Sequence, residues 1–182
     1  DLELVFIPMA NMTLGSALGY NKAEYDEFDN GQCTVEQSFT QYYLVDGAQT
    51  GAPGTSSVCT QDLAEHPLDN APEWTVSTFA QLEGNFSGTE LGWIGRVEYN
   101  YTDEFYMAQD LDESLKNDES HLLNARLGIF GADRKWEVTA WGRNLSDEEA
   151  YVIGVDIPVV SGYAGINIPP RTYGVTLNYR FE

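Results

Sequence analysis

A two-residue period runs through almost the whole chain, and it limits the fold to sheet. The last segment shows it most clearly, in Arg171-Thr-Tyr-Gly-Val-Thr-Leu-Asn-Tyr-Arg-Phe181. Tyr173, Val175, Leu177, Tyr179 and Phe181 fall on one face of a strand, and Thr172, Gly174, Thr176, Asn178 and Arg180 on the other. Leu91, Trp93, Val97, Tyr99 and Tyr101 alternate in the same way with Gly92, Arg96, Glu98 and Asn100. Further alternating runs centre on Met12–Tyr20, Trp74–Leu82, Leu123–Ile129 and Trp136–Ala140, and a truncated run, Leu2, Leu4, Phe6, opens the chain. Seven strands are predicted, most of them close to the roughly ten residues that cross a bilayer when tilted.

A soluble β-sandwich alternates too, so the period does not choose the solvent. Three features point to lipid. The non-apolar face carries Gly, Thr, Asn, Glu and Arg in mid-strand, as a wet lumen permits. The apolar face places Trp74, Trp93, Tyr99, Tyr101, Trp136, Tyr173 and Tyr179 near strand ends, as interfacial girdles do. Connections near 8–11, 86–90 and 131–135 are short, and those spanning about 26–72, 102–120 and 146–170 are long, in strict alternation. Tight periplasmic turns and long extracellular loops give an outer-membrane barrel that asymmetry. The C-terminus is then expected in the periplasm. Seven is an odd number, and antiparallel barrels of this kind close on even numbers from 8 upward. Two open edges in hydrocarbon would leave N–H and C=O groups unsatisfied, so the expectation is part of a larger barrel.

Charge narrows the partners. The 182 residues carry 29 acids and 9 Lys plus Arg, a net charge of −20. So acidic a chain lacks the basic face that nucleic acid or an anionic lipid headgroup requires. Residues 24–72, 102–120 and 146–170 hold 20 of the acids and one base, Lys116, and therefore account for −19 of the −20. The strands and turns are almost neutral. There is no apolar run long enough for a transmembrane helix and no signal-peptide pattern at the first residues. Two cysteines and two histidines exclude a multi-disulfide scaffold and a Cys- or His-rich metal centre.

Four segments resemble the C-terminal barrel of TonB-dependent outer-membrane receptors. They are Asn70-Ala-Pro-Glu-Trp-Thr-Val-Ser, Leu122-Leu-Asn-Ala-Arg-Leu-Gly, Trp136-Glu-Val-Thr-Ala-Trp-Gly-Arg-Asn-Leu-Ser-Asp-Glu, and Pro169-Pro-Arg-Thr-Tyr-Gly-Val-Thr-Leu-Asn-Tyr-Arg-Phe. They stand in the family's order and end on an aromatic one residue from the C-terminus; the extra Glu182 departs from the usual terminal aromatic. The resemblance implies an all-β antiparallel transmembrane barrel of about 22 strands, of which residues 1–182 supply roughly the last seven. It also implies an N-terminal plug and a TonB-contacting segment outside this chain, and import of ferric siderophores, haem, cobalamin or sugars.

Site residues follow from the topology. Cys33 and Cys59 share the first long loop, and a protein exported through an oxidising periplasm is expected to join them; the alternative is two free thiols. Arg96, Arg126, Arg143 and Arg180, with Glu98, lie on the polar faces. Facing lipid, an arginine would cost about 2–4 kcal/mol at the midplane, so these are expected to face the lumen. They would either pair with wall carboxylates such as Glu83, Glu98 and Glu137, or meet the plug or an anionic ligand. Tyr42 and Tyr43, Phe105 and Tyr106, and Tyr151 and Tyr163 are the loop aromatics available to a ligand. Asp110, Asp112 and Glu113 offer a weak oxygen set for a hard cation and lack the Gly-centred twelve-residue calcium loop. His66 and His121 stand apart, and no nucleophile elbow or phosphate loop occurs, so neither an enzyme nor a cofactor is expected. The expected function is energy-coupled uptake of a scarce solute, ferric siderophore first and carbohydrate next. The expected partners are the plug and remaining strands, TonB, outer-membrane lipid and lipopolysaccharide. A passive porin-like or adhesive barrel binding through its acidic loops is the alternative.

Overall fold

The computed structural model describes residues 1–38, 59–157 and 162–181. Its strands are β1 (Leu2–Met9), β2 (Met12–Tyr20), β3 (Gly31–Gln32), β4 (Thr60–Gln61), β5 (Trp74–Asn85), β6 (Leu91–Thr102), β7 (Phe105–Tyr106), β8 (Lys116–Asn117), β9 (Ser120–Gly131), β10 (Trp136–Arg143), β11 (Tyr151–Ile157), β12 (Gly162–Asn167) and β13 (Thr172–Tyr179). Seven of them, β1-β2-β5-β6-β9-β10-β13, form one sheet. These are the seven alternating segments of the sequence. Each pairs antiparallel with its predecessor, so the sheet is a meander without crossovers. The other six strands make three small hairpins, β3–β4, β7–β8 and β11–β12, one inside each long connection.

Register carries the alternation from strand to sheet. One row of direct neighbours, Phe6, Leu14, Ala80, Val97, Ala125, Gly142 and Tyr173, crosses all seven strands and is apolar throughout. A row on the opposite face reads Thr13, Gln81, Arg96, Arg126, Trp141 and Gly174. A slip of one residue would exchange the faces, so the pattern fixes the pairing. The apolar face has no protein against it: Leu127, Val175 and Leu177 are 63%, 72% and 68% exposed. A sandwich would bury this face against a second sheet. Here the arrangement is that of a transmembrane β-barrel wall, open at both edges, where β1 touches only β2 and β13 only β10. On edge strand β1 the register shifts between Phe6 and Met9, around Pro8, which has no N–H to donate. Among the described residues no helix is long and apolar enough to cross a membrane, which has no bearing on strands.

Aromatic residues of the apolar face gather at two heights. Tyr20 packs against Trp74, the ring centroids 4.5 Å apart and the planes tilted by 44°, near the long connections, where Tyr99, Tyr101 and Tyr173 also lie. Trp136 opposes Tyr179, which meets Phe181 at 4.8 Å, near the short turns, on the same side as Trp93. Trp93 and Tyr101 are eight residues apart on β6, about 26 Å along the strand and roughly 20 Å along the membrane normal at ordinary barrel tilt. That distance suits a hydrocarbon core.

Glycines opposite large rings set the close approach of the wall strands. Gly15, Gly92 and Gly174 are the cross-strand partners of Phe79, Phe130 and Trp141. A Cβ on any of the three would lie 2.2 Å from a ring atom. Each ring thus lies flat over a backbone with no side chain, which is how Phe79, Phe130 and Trp141 are housed on the otherwise polar face. The alternation alone marks these rings as exceptions; the opposing glycines explain them.

Two substitutions test this wall. Gly92→Val has to displace the Phe130 ring and is expected to lower stability by about 1–3 kcal/mol. Leu127→Arg is expected to cost about 2–4 kcal/mol in a bilayer, whereas Asn178→Arg, on the opposite face and across from Glu137, costs little. Urea unfolding in liposomes, followed by tryptophan fluorescence, measures all three.

Candidate functional site

Each long connection lies at the same end of the sheet, and there the chain builds the only buried apolar cluster among its described loops. Cys33, Val35, Cys59, Leu63, Met107, Leu115 and Ala150 are all less than a tenth exposed. Cys33 and Cys59 are bonded, with a Cα separation of 5.8 Å across 26 residues, and they close the β3–β4 pair. The expected disulfide is present.

Polar side chains join the three loops by replacing strand pairing where strands are too short. Gln61 Nε2 donates to Gln32 O at 2.6 Å and to Asp110 O at 2.7 Å, linking the first loop to the second. Asn70 adds its backbone N–H to Tyr106 O at 2.8 Å. Asn117 pairs like a strand residue with Tyr151, donating to its carbonyl and accepting its N–H, both at 3.1 Å, and so joins the second loop to the third. Tyr163 donates to Glu36, linking the third loop back to the first. At Gly154 a Cβ would come within 2.8 Å of Met107 and 3.0 Å of Leu115, so β11 rests directly on the second loop.

The base of the third loop is held by one residue. Asn144, only 5% exposed and at φ 50°, donates to Glu148 O and Pro169 O at 2.9 and 3.1 Å and accepts the Glu148 N–H at 2.9 Å. Arg171 completes the closure, with Nη2 at 3.0 Å from Asp147 Oδ2. The Asn144-Leu145-Ser146 corner is therefore a fastening for the loop as well as a strand exit.

Acids meet inside this cluster. Asp110 and Asp112 are 3% and 4% exposed, and each places a carboxylate oxygen within 4.8 Å of the other and of Asp156. Burial, and then the Asp156 carboxylate, push Asp110 up to about 7. Burial also raises Asp112, against the opposing Ser114 N–H. The Tyr163 hydroxyl lowers Glu36, while Glu36 in turn pushes Tyr163 up to about 12. Glu113, expected with Asp110 and Asp112, is not in the group: it is exposed and accepts the Tyr106 hydroxyl at 2.6 Å. The short 3-10 turn Glu113–Leu115 points it away, and Asp156 of β11 takes its place. The sequence signal for Asp156 is a single charge in the apolar run Val152-Ile-Gly-Val-Asp-Ile157.

The loop aromatics divide. Tyr106 and Tyr163 spend their hydroxyls inside the loops, and Phe105 is half-buried in β7. Tyr151 is 45% exposed and the most open of the described members of the set. Tyr42 and Tyr43 lie outside the described residues.

On the polar face of the wall, Arg96 pairs with Glu98 at 2.5 Å and lies over the Phe79 ring at 3.8 Å. Glu83 and Glu137 do not pair with these arginines; Glu83 holds Arg134 at 2.8 Å and Glu137 accepts from Thr139 at 2.8 Å. Arg126 is the direct cross-strand neighbour of Arg96 and has no ion pair among the described residues. Arg143 sits 5.1 Å from the Trp141 ring. Arg180 follows β13, its backbone N–H on Lys135 O at 2.8 Å, and is remote from the other three.

Comparison with solved structures finds the same fold in the ferric yersiniabactin uptake receptor FyuA from Yersinia pestis, with a TM-score of 0.69 at 11% identity. The match covers 99% of this chain and 22% of that one, so the chain spans about a fifth of that receptor's length. No family model and no curated protein matches. At this identity the likeness is one of fold.

The loop assembly makes two predictions. Replacing Cys33 and Cys59 by Ser releases a closed loop whose loss costs roughly 3 kcal/mol, so protease is expected to cut the first loop faster while the wall stays intact. Asn117→Ala strands the Tyr151 N–H and C=O and is expected to cost about 1–3 kcal/mol locally, seen as faster hydrogen exchange in β11 and β12.

Proposed function

We propose that this chain is the C-terminal part of the barrel of a TonB-dependent outer-membrane receptor, which takes up a scarce solute with energy supplied through TonB. The observation that carries the reading is the open seven-stranded meander, apolar outside and polar inside, which matches a fifth of a ferric siderophore uptake receptor along its whole length. The edges of β1 and β13 pair with the remaining strands of the barrel, because an edge facing hydrocarbon has no other donor or acceptor. In this arrangement the joined loops lie outside the cell and the short turns face the periplasm. Arg96, Arg126 and Arg143 face the lumen, where acidic plug residues or an anionic ligand balance the Arg96–Arg126 pair. Ferric siderophore is the leading substrate, because the structural neighbour is a ferric yersiniabactin uptake receptor. The acidic loop coat faces lipopolysaccharide, whose phosphates it meets through divalent ions.

Growth measures this reading. A strain lacking the gene is expected to lose growth on a ferric siderophore as sole iron source, and loss of TonB is expected to reproduce the defect. Uptake that continues without TonB would instead identify a passive barrel.

A further inference from the structure

We propose that Asp110, Asp112 and Asp156 form a calcium site that ties the second loop to the third. Asp110 is 97% buried by its 3% exposure, and neither of its carboxylate oxygens has a hydrogen-bond partner among the described residues. Asp156 Oδ1 is buried and unpartnered in the same way. Both side chains share one small space with Asp112, an oxygen from each lying within 4.8 Å of the others. No Lys or Arg pairs with any of the three among the described residues.

Two buried carboxylates and a third with one buried oxygen, without a cation, are a poor end state. Removing an ion from water costs several kcal/mol, and like charges at this spacing add to the cost. A proton shared between two of them relieves part of it. A divalent ion relieves all three at once, because each oxygen then has a ligand role that matches its charge. The donors select the ion. Calcium takes about six to eight oxygen ligands in a flexible geometry, carboxylates, backbone carbonyls and waters among them, whereas magnesium demands a near-ideal octahedron and is usually held through one or two carboxylates. Three carboxylate donors within 4.8 Å of one another match calcium.

The surroundings hold the donors in place. Asp112 caps the 3-10 turn, its Oδ1 accepting the Ser114 N–H at 2.8 Å, which leaves Oδ2 to the cluster and to the Tyr163 hydroxyl at 3.4 Å. Gln61 fixes the Asp110 carbonyl from the first loop. Asp156 comes from β11, which Asn117 already holds against the second loop. An ion here would complete the junction of all three loops. The proposal uses the proposed function only to place these loops in the external medium; the donor geometry is independent of the solute taken up.

The test is calcium titration of the intact protein, extracted from outer membranes in detergent and followed by calorimetry. Wild type is expected to bind one calcium per chain at this site, with a dissociation constant of about 0.1–1 mM, as extracellular modules do. Asp110→Asn and Asp156→Asn keep side-chain shape and remove charge, and each is expected to weaken binding at least about tenfold. Glu113→Gln is expected to leave it unchanged. Wild type alone supplies a second measurement: calcium should slow proteolysis of the second and third loops relative to a chelator. Binding that survives both Asp→Asn changes overturns the proposal, as does no binding. Loop protection that follows pH between 5 and 8 and ignores calcium also overturns it, in favour of a shared proton. None of these outcomes depends on transport, so failure here is separable from failure of the uptake reading.

Discussion

Backbone hydrogen bonding inside hydrocarbon is the constraint on which the rest of the structure depends. A peptide group in lipid has no water to bond, so each N–H and C=O of a spanning strand must find another strand. The meander meets this rule strand by strand: all five interior wall strands are paired on both sides. It also explains why the sheet tolerates an apolar face without a protein layer against it. In water that face would collapse onto something; in a bilayer it is already solvated.

Because lipid serves one face, packing is distributed differently from a soluble domain. The wall has no hydrophobic core. Its tight contacts are rings laid over glycines, with Phe79, Phe130 and Trp141 each covering a bare backbone on the neighbouring strand. Apart from Phe130, the buried apolar side chains are instead in the loops, where Val35, Leu63, Met107 and Leu115 are enclosed as the bonded Cys33 and Cys59 are. The loops are therefore a small folded unit in their own right. Their short hairpins supply too few ladder bonds to hold together, and Gln61, Asn117 and Asn144 make up the difference through side-chain amides. An amide suits this role because it offers a donor and an acceptor in the geometry of a peptide group.

Charge follows the same division. The wall is almost neutral and the loops carry nearly all the negative excess. Most of those acids are solvated or paired, as Glu104 is with Lys116 and Asp147 with Arg171. Asp110 and Asp112 differ because the packing of β11 on the second loop encloses them, together with one oxygen of Asp156. Enclosure converts a surface property into a site.

The seven wall strands, their faces and the positions of the aromatic girdles were legible from residue order alone. A period of two is a local property, and register follows once one face must be apolar. Arg96, Arg126 and Arg143 fall on the polar face for the same reason, and the pairing of Cys33 with Cys59 followed from their sharing one loop. The substitution of Asp156 for Glu113, the pairing of Asn117 with Tyr151, and the choice of Arg134 for Glu83 were not legible. Each joins residues 34 to 51 positions apart, at least one of them in a loop or turn with no periodicity, so nothing local encodes their meeting. Sequence determined the wall because solvent acts on each residue separately; only the tertiary structure decided the loop junction, because burial there depends on which distant segments come to rest on one another.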